Sequence, residues 1–136
     1  MECKSLCFFT HHPKFIQELE EFINNHVSAS SAEETINNIE RLLVKHFYDK
    51  DVSFTPKHFG MAQGFNGFEV YWLHMVIPNS GLSRTQVPKA YFYKNNEYIS
   101  FLCLDSHIQN YKDAKLRKVA EERLREIIEV LKTRAP

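Results

Sequence analysis

The sequence predicts an α+β domain in which a small antiparallel β-sheet is flanked by an N-terminal helical hairpin and a C-terminal helix, in the order β-α-α-β-β-β-α. Apolar residues recur at every third or fourth position over residues 13–48 and 114–132, which is the spacing of amphipathic helices. Between these ranges, short apolar runs are separated by polar or glycine-containing turns, which is typical of strands. The chain has 136 residues, so we expect residues 1–136 to form a single domain.

The first part of the chain predicts a strand and then two helices. Residues 4–9, KSLCFF, form a short apolar run that ends before Pro13, and proline suits the first turn of a helix. The apolar stripe of that helix, predicted over residues 13–25, consists of Phe15, Ile16, Leu19, Phe22 and Ile23. Ser31 followed by Glu34 is a capping box that starts the second helix, so the hairpin extends to residue 48.

The middle of the chain predicts a turning segment and three strands. Residues 50–67 carry three of the four glycines, which favours turns over strand pairing. Strands are predicted over residues 68–77, 89–93 and 98–104. The last of these is almost continuously apolar, which indicates a central strand that is covered on both faces.

The clearest helix lies over residues 114–132, and Asp113 is its predicted N-cap. Its apolar stripe consists of Leu116, Val119, Ala120, Leu124, Ile127, Ile128 and Leu131. Basic residues outnumber acidic ones over residues 112–136. That excess is either a local site for nucleic acid or a solvated helix face of mixed charge.

The bulk composition restricts the location and the partners. Seventeen basic residues balance 17 acidic ones, so any nucleic-acid site must be a local patch. The N-terminus lacks the apolar core of a signal peptide, and no apolar run reaches the length of a membrane span. We therefore expect a cytoplasmic protein with no membrane partner.

The chain has three cysteines, Cys3, Cys7 and Cys103, which is an odd number. We expect them to be reduced and mostly buried, as is usual in the cytosol. Cys3 and Cys7 could be combined with His11 and His12 into a metal site. Their spacing matches no closed zinc pattern, so we expect neither metal nor cofactor.

Three segments between residues 60 and 118 carry a resemblance to a known family: GFNGFEVYWL, KAYFY and FLCLDSHIQNYKDAKL. Together with the element order, they resemble the RelE/ParE superfamily of bacterial type II toxins, nearest the RelE/YafQ-like mRNA interferase branch. The resemblance implies a RelE-like fold. It also implies the toxin of a toxin-antitoxin system, an endoribonuclease that cleaves mRNA at the ribosome without a metal. The implied partners are a cognate antitoxin, mRNA and the ribosome.

In that family a histidine beyond the final strand, followed by an aromatic residue, helps to cleave RNA, and His107 and Tyr111 match these positions. The ribose 2′-OH attacks its own 3′-phosphate, a reaction that needs a proton acceptor, a proton donor and cations for the phosphate. His107 could serve as the acid or the base, or be a surface histidine in a turn. Tyr111 could stack on a base or donate its hydroxyl group, or pack the start of the last helix against the sheet.

Two further catalytic candidates lie on the strands. Glu69 resembles the strand glutamate that serves as a base in some branches of the family, although a cross-strand lysine could simply pair with it. Lys89 lies where the family usually has an arginine for the phosphate, and a solvated lysine at a strand end is the simpler alternative.

RNA-binding roles are predicted for Tyr71, Arg84 and Lys112. Strand alternation places Phe68, Val70 and Trp72 on one face and Glu69 and Tyr71 on the other. We expect the first face to contact the helices and the second to line the RNA groove. His74 shares the parity of Trp72 and is expected to be packed.

The chain departs from the family on this strand, where ribosome-dependent members carry lysines or arginines and this sequence has Glu69, Tyr71 and Leu73. A neutral chain binds RNA less strongly, because phosphate neutralisation supplies most non-specific affinity. The alternative function is therefore a non-catalytic protein of the same fold, either a gyrase inhibitor of the ParE type or an inactivated toxin that only binds its antitoxin.

Overall fold

The computed structural model describes residues 8–27, 31–51, 59–77, 80–83, 86–106 and 112–134. The elements within these ranges are β1 (Phe8–Phe9), α1 (Pro13–His26), α2 (Ala32–Phe47), β2 (Phe59–Ala62), β3 (Val70–His74), β4 (Lys89–Lys94), β5 (Tyr98–Asp105) and α3 (Asp113–Arg134). The α+β class, the helical hairpin, the strands that follow it and the terminal helix are confirmed. None of these helices combines the length and apolarity that crossing a membrane requires.

One strand was missed by the sequence prediction. Residues 50–67 were expected to turn more than to pair, but β2 lies inside them and pairs antiparallel with β3. A turn follows β2, where Gly64 and Gly67 adopt positive φ angles of 85° and 83°. Glycine content therefore indicated the turn correctly and obscured the strand in front of it.

The five strands form one sheet in the order β1-β5-β4-β3-β2. The four strands from β2 to β5 are antiparallel neighbours, as predicted, whereas β1 pairs parallel to β5. The chain between β1 and β5 runs through α1, α2 and the strands β2 to β4, which gives the long connection that a parallel pairing needs.

Helices cover both faces of the sheet. On one face, α1 and α2 pack against a core that includes Phe15, Leu19, Phe22, Leu43, Tyr71, Leu73, Phe92 and Phe101. On the other face, α3 packs against a second core that includes Val70, Tyr91, Leu102, Cys103, Leu116, Ala120 and Leu124. The expected division into a helix-covered face and an open face is therefore wrong.

The outer edge of β5 is closed by main-chain and side-chain groups. Within the described residues, β1 pairs with Tyr98 and Ile99 at the start of β5, and the Thr10 and His12 N–H groups donate to the Ile99 and Phe101 carbonyl oxygens at 3.1 and 2.9 Å. Further along, the Phe101 N–H donates to His11 Nδ1 at 3.1 Å and the Leu104 N–H donates to Glu18 Oε1 at 3.1 Å. Arg123 Nη1 donates to the Leu102 carbonyl oxygen at 2.9 Å. These contacts protect a strand edge that could otherwise pair with another chain.

Candidate functional site

Three predicted site residues, His107, Tyr111 and Arg84, lie outside the described residues. The structure gives the flanks of the segment that contains the first two. Ser106 follows the end of β5, and Lys112 precedes the start of α3. Lys112 is exposed. The geometry of the site can therefore be built from the residues that surround these flanks.

Lys89, the first residue of β4, contacts both flanks. In the ladder it is the register partner of Asp105 at the end of β5. Its Nζ atom lies 2.9 Å from Oδ1 of Asp113, the first residue of α3. The Lys89 side chain is only 17% exposed. Lys89 is thus held in an ion pair next to the described residues on both sides of segment 107–111, and it is not the solvated lysine of the simpler alternative.

Aromatic rings surround the Lys89 ammonium group. The Nζ atom lies 5.3 Å from the ring centre of Trp72 and 5.2 Å from that of Tyr91, which is cation–π distance. His74 is the register partner of Lys89 on β3, and its ring lies 6.0 Å from that of Trp72. We call Trp72, His74, Lys89, Tyr91 and Asp113 the Lys89 cluster.

The charges of the cluster follow from its hydrogen bonds. Tyr91 donates its hydroxyl to Asp113 Oδ1 at 3.0 Å. Burial of the Asp113 carboxyl group opposes ionisation, but hydrogen bonds from Lys89 and Tyr91 outweigh burial and lower the pKa of Asp113. Burial, and then the bond to Asp113, raises the pKa of Tyr91. At neutral pH the cluster holds an ammonium group, a carboxylate and a neutral phenol.

Asp113 was predicted to be the N-cap of the last helix, and this is wrong by one position. It is the first residue of α3, and the Lys112 carbonyl oxygen accepts the first helical hydrogen bond, from the Leu116 N–H at 3.1 Å. The Asp113 carboxylate is therefore available to join α3 to β4.

Glu69 lies at the other end of the sheet from Lys89. It immediately precedes β3, accepts a hydrogen bond from the Tyr71 hydroxyl group at 2.5 Å and lies 3.8 Å from Lys94 Nζ. Lys94 and Lys89 are the two ends of β4, which are about 17 Å apart at the usual rise of a strand. The alternative of a cross-strand lysine partner for Glu69 is confirmed, and the two residues do not form one constellation.

Tyr71 does not line a groove, contrary to the prediction. It is 8% exposed and lies in the core beneath α2. Its ring stacks between Phe59 and Phe92, with centroid distances of 5.3 and 5.2 Å, and Phe47 of α2 packs against it at 5.2 Å. The error arose because period-two alternation shows which residues share a face and not which face is covered.

The face of β3 beside Lys89 carries Trp72 and His74. Glu69 and Tyr71 had been expected from the sequence to line the binding groove. Trp72 and His74 are both half-buried and lie on the α3 side of the sheet, beside Lys89. The Trp72 ring lies against Gly60 of β2, where an added Cβ atom would be 3.1 Å from ring atoms. Because Trp72 and His74 are two positions apart on β3, the sequence predicts that their side chains share a face. Recognising β4 as the neighbouring strand would have placed Lys89 beside them.

Besides Lys89 of β4, the basic residue Arg117 of α3 approaches the same face of the sheet. Arg117 Nη2 donates to the Gln63 carbonyl oxygen at 2.6 Å, and its guanidinium group lies 4.5 Å from the Phe65 ring centre.

Among the described residues, no group of three histidine, cysteine or acidic side chains is arranged to hold a metal ion. Cys103 is buried, as predicted, whereas Cys3 and Cys7 lie outside the described residues.

The arrangement can perform two chemical tasks. The Lys89 ammonium group can bind an oxyanion, and the Trp72 ring can stack on a planar group. Comparison with known proteins gives no relative for this chain: no protein-family model, curated protein or solved structure matches it.

Proposed function

We propose that this protein is the toxin of a type II toxin-antitoxin system and that it cleaves mRNA, in association with the ribosome, in the cytoplasm. The observation that supports this most is the position of Lys89, which contacts Asp105 and Asp113 on the two sides of segment 107–111. His107 and Tyr111 belong to that segment. Lys89 thus supplies a cation beside the described residues that flank this segment in the chain.

In the proposed reaction, the ribose 2′-OH attacks the adjacent phosphorus and the 5′-oxygen of the next nucleotide leaves. The products are a 2′,3′-cyclic phosphate and a free 5′-OH. His107 transfers a proton to or from the reacting oxygens, and Tyr111 donates to the phosphate or stacks on a base. The nucleophile belongs to the substrate itself, so the reaction class requires no metal or cofactor.

Lys89 stabilises the negative charge that grows on the phosphate. In the free protein it pairs with Asp113, whose side chain is 46% exposed. Ion pairs at such sites contribute about 1 kcal/mol or less, so a phosphate oxygen can replace the carboxylate. Lys112, which is exposed next to Asp113, adds a further phosphate contact.

Trp72 replaces Tyr71 as the aromatic residue proposed to contact RNA. It is half-buried beside Lys89, whereas Tyr71 is enclosed in the core. Stacking on an aromatic ring contributes about 1–3 kcal/mol per base and tolerates different sequences. Glu69 has no place in this site, because it is paired with Tyr71 and Lys94 at the far end of β4.

Expression and RNA end analysis test the proposal. Expression of the chain alone is expected to arrest growth, and His107→Ala is expected to relieve the arrest while the fold stays intact. Cleaved mRNA should carry 2′,3′-cyclic phosphate and 5′-OH ends. Lys89→Met should reduce cleavage at least tenfold, whereas Lys132→Met, at a 69% exposed side chain on α3, should not change it. Full toxicity of both His107→Ala and Lys89→Met would contradict the proposed site.

A second candidate function is a non-catalytic protein that binds only an antitoxin. The observation in its favour is that the strand lysines are neutralised, with Lys89 next to Asp113 and Lys94 next to Glu69. This candidate predicts that the protein binds the product of a neighbouring gene tightly and leaves mRNA intact. Intact mRNA together with normal growth on expression would favour this candidate over the ribonuclease.

A further inference from the structure

His11 and His12 are adjacent in the turn between β1 and α1 and are almost completely buried, with side-chain exposures of 8% and 9%. They contact helices on opposite faces of the sheet. His11 Nε2 lies 2.8 Å from Glu40 Oε2 on α2, and His12 Nε2 lies 2.6 Å from Glu126 Oε1 on α3. This turn therefore joins both helical layers to the sheet.

The second nitrogen of each ring faces a main-chain donor. His11 Nδ1 accepts the Phe101 N–H of β5 at 3.1 Å. His12 Nδ1 accepts the Lys14 N–H at 3.1 Å, which makes His12 the N-cap of α1. A ring nitrogen that accepts a hydrogen bond carries no proton, so each imidazole must be neutral with its proton on Nε2. The two carboxylates then accept the Nε2 protons.

Protonation cannot preserve all of these contacts. A proton on Nδ1 would face a main-chain N–H, so the hydrogen bond to the backbone would be lost. At His12 this loss uncaps α1, and at His11 it leaves the Phe101 N–H on the edge of β5 without its acceptor. The carboxylates favour a charged ring, whereas the main-chain donors accept only a neutral one.

The surroundings of the two rings differ. Glu40 is the charged group that faces His11 from α2, and the other groups around His11 are the rings of Phe9, Phe15 and Phe101. Glu126 faces His12 from α3, and Arg123 and Lys14 act on the same carboxylate. Glu18 of α1 is bound to Arg123 and to the Leu104 N–H, further along the edge of β5.

We propose that His11 and His12 form a proton-operated latch. While both rings are neutral, the latch holds the start of α1 against β5 and closes the strand edge. Protonation of the rings breaks their bonds to the Phe101 and Lys14 N–H groups and loosens this edge, while the ladder from β2 to β4 stays intact. The latch does not depend on the ribonuclease activity proposed above.

Amide hydrogen exchange of the full chain at pH 7.5 and pH 5.5 tests the latch. The protection factors of the Phe101 and Lys14 amides are expected to be at least about tenfold lower at pH 5.5 than at pH 7.5, because each amide loses its ring acceptor. The amides of Tyr71 and Phe92 should keep their protection. Unchanged protection of Phe101 and Lys14 across this range would overturn the proposal.

The double variant His11→Asn/His12→Asn separates the latch from other acid effects. Asparagine can accept the same main-chain N–H groups and is a favoured N-cap, but it does not titrate. Its protection factors should be independent of pH over this range. His26→Asn, at an exposed residue in the last turn of α1, should keep the wild-type response. A double variant that responds like the wild type would contradict the latch.

The protonation of the two rings can also be measured directly in the wild-type protein, without any variant. The ¹⁵N chemical shifts of the ring nitrogens report which of them carries a proton. At pH 7.5 both His11 and His12 should be protonated at Nε2 and unprotonated at Nδ1. A proton on Nδ1 of either ring at that pH would overturn the proposal.

Discussion

Arg123 of α3 and Glu18 of α1 meet across the edge of β5, with Arg123 Nη2 2.7 Å from Glu18 Oε2 and Nη1 2.9 Å from Glu18 Oε1. The two helices lie on opposite faces of the sheet, so this ion pair joins the layers around the strand. Each partner also binds the main chain of β5, Glu18 at the Leu104 N–H and Arg123 at the Leu102 carbonyl oxygen.

Replacing Arg123, whose side chain is 12% exposed, should destabilise the protein. Arg123→Gln removes a bidentate pair and leaves a carboxylate with 31% exposure and a strand carbonyl oxygen without their donor. We expect a loss of about 2 kcal/mol in the free energy of unfolding, measured by urea denaturation. Arg125→Gln, at an exposed position on the same helix, should change it by less than about 0.5 kcal/mol. Equal effects of the two variants would contradict this role of Arg123.

The pair between Lys89 and Asp113 should make a contribution to stability that depends on pH. The pKa of Asp113 is lowered in the folded state, so its contribution is present above the unfolded value of about 3.9 and is lost as pH falls through the lowered value. Asp113→Asn should cost at most about 1 kcal/mol at pH 7 and less at pH 2. Urea titrations at both pH values measure the difference. An equal cost at the two pH values would indicate a packing effect.

Gly60 should be required for the position of the Trp72 ring. An added Cβ atom would lie 3.1 Å from ring atoms, so Gly60→Val should displace the indole and cost about 1–3 kcal/mol of stability. Trp72 is the single tryptophan of the chain, so its fluorescence maximum should move to longer wavelength. Met61→Ala, at a 51% exposed residue of the same strand, should leave the emission unchanged. An unchanged spectrum in Gly60→Val would show that the ring does not rest on β2.

Substitutions at Tyr71 should separate its hydroxyl group from its ring. Tyr71→Phe removes only the bond to Glu69 and should cost about 1 kcal/mol. Tyr71→Ala leaves a cavity among Phe47, Phe59 and Phe92 and should cost about 3–5 kcal/mol. Both costs are measured by urea denaturation. If Tyr71→Ala weakened RNA binding without loss of stability, the buried position would be contradicted.

Regular periodicity made most of the fold predictable. The helix predicted over residues 13–25 is α1, and the strand predicted over residues 98–104 is β5, buried on both faces as expected. β2 was not predictable in the same way, because a strand of four residues that includes Gly60 carries little pattern of its own. Its partner across the ladder, Trp72, accommodates the glycine.

The candidate site was less predictable than the fold, because it depends on contacts between distant elements. Lys89 was identified from its position at a strand end, but its partner Asp113 is 24 residues away in sequence. Likewise, His11 and His12 were considered in the sequence only as possible metal ligands, because of their residue type. The acceptor role of His11 depends on the Phe101 N–H of β5, which lies beyond the described pairing of β1, and that of His12 depends on the start of α1.

The contacts that close the β5 edge also have a consequence for the order of folding. Beyond the described pairing of β1, this edge depends in part on Glu18, 86 residues before its partner Leu104, and on Arg123, 21 residues after its partner Leu102. During synthesis, β5 leaves the ribosome before α3 does, so its edge stays incompletely closed until the last helix docks. The late-emerging α3 thus protects the nascent sheet against association with other chains.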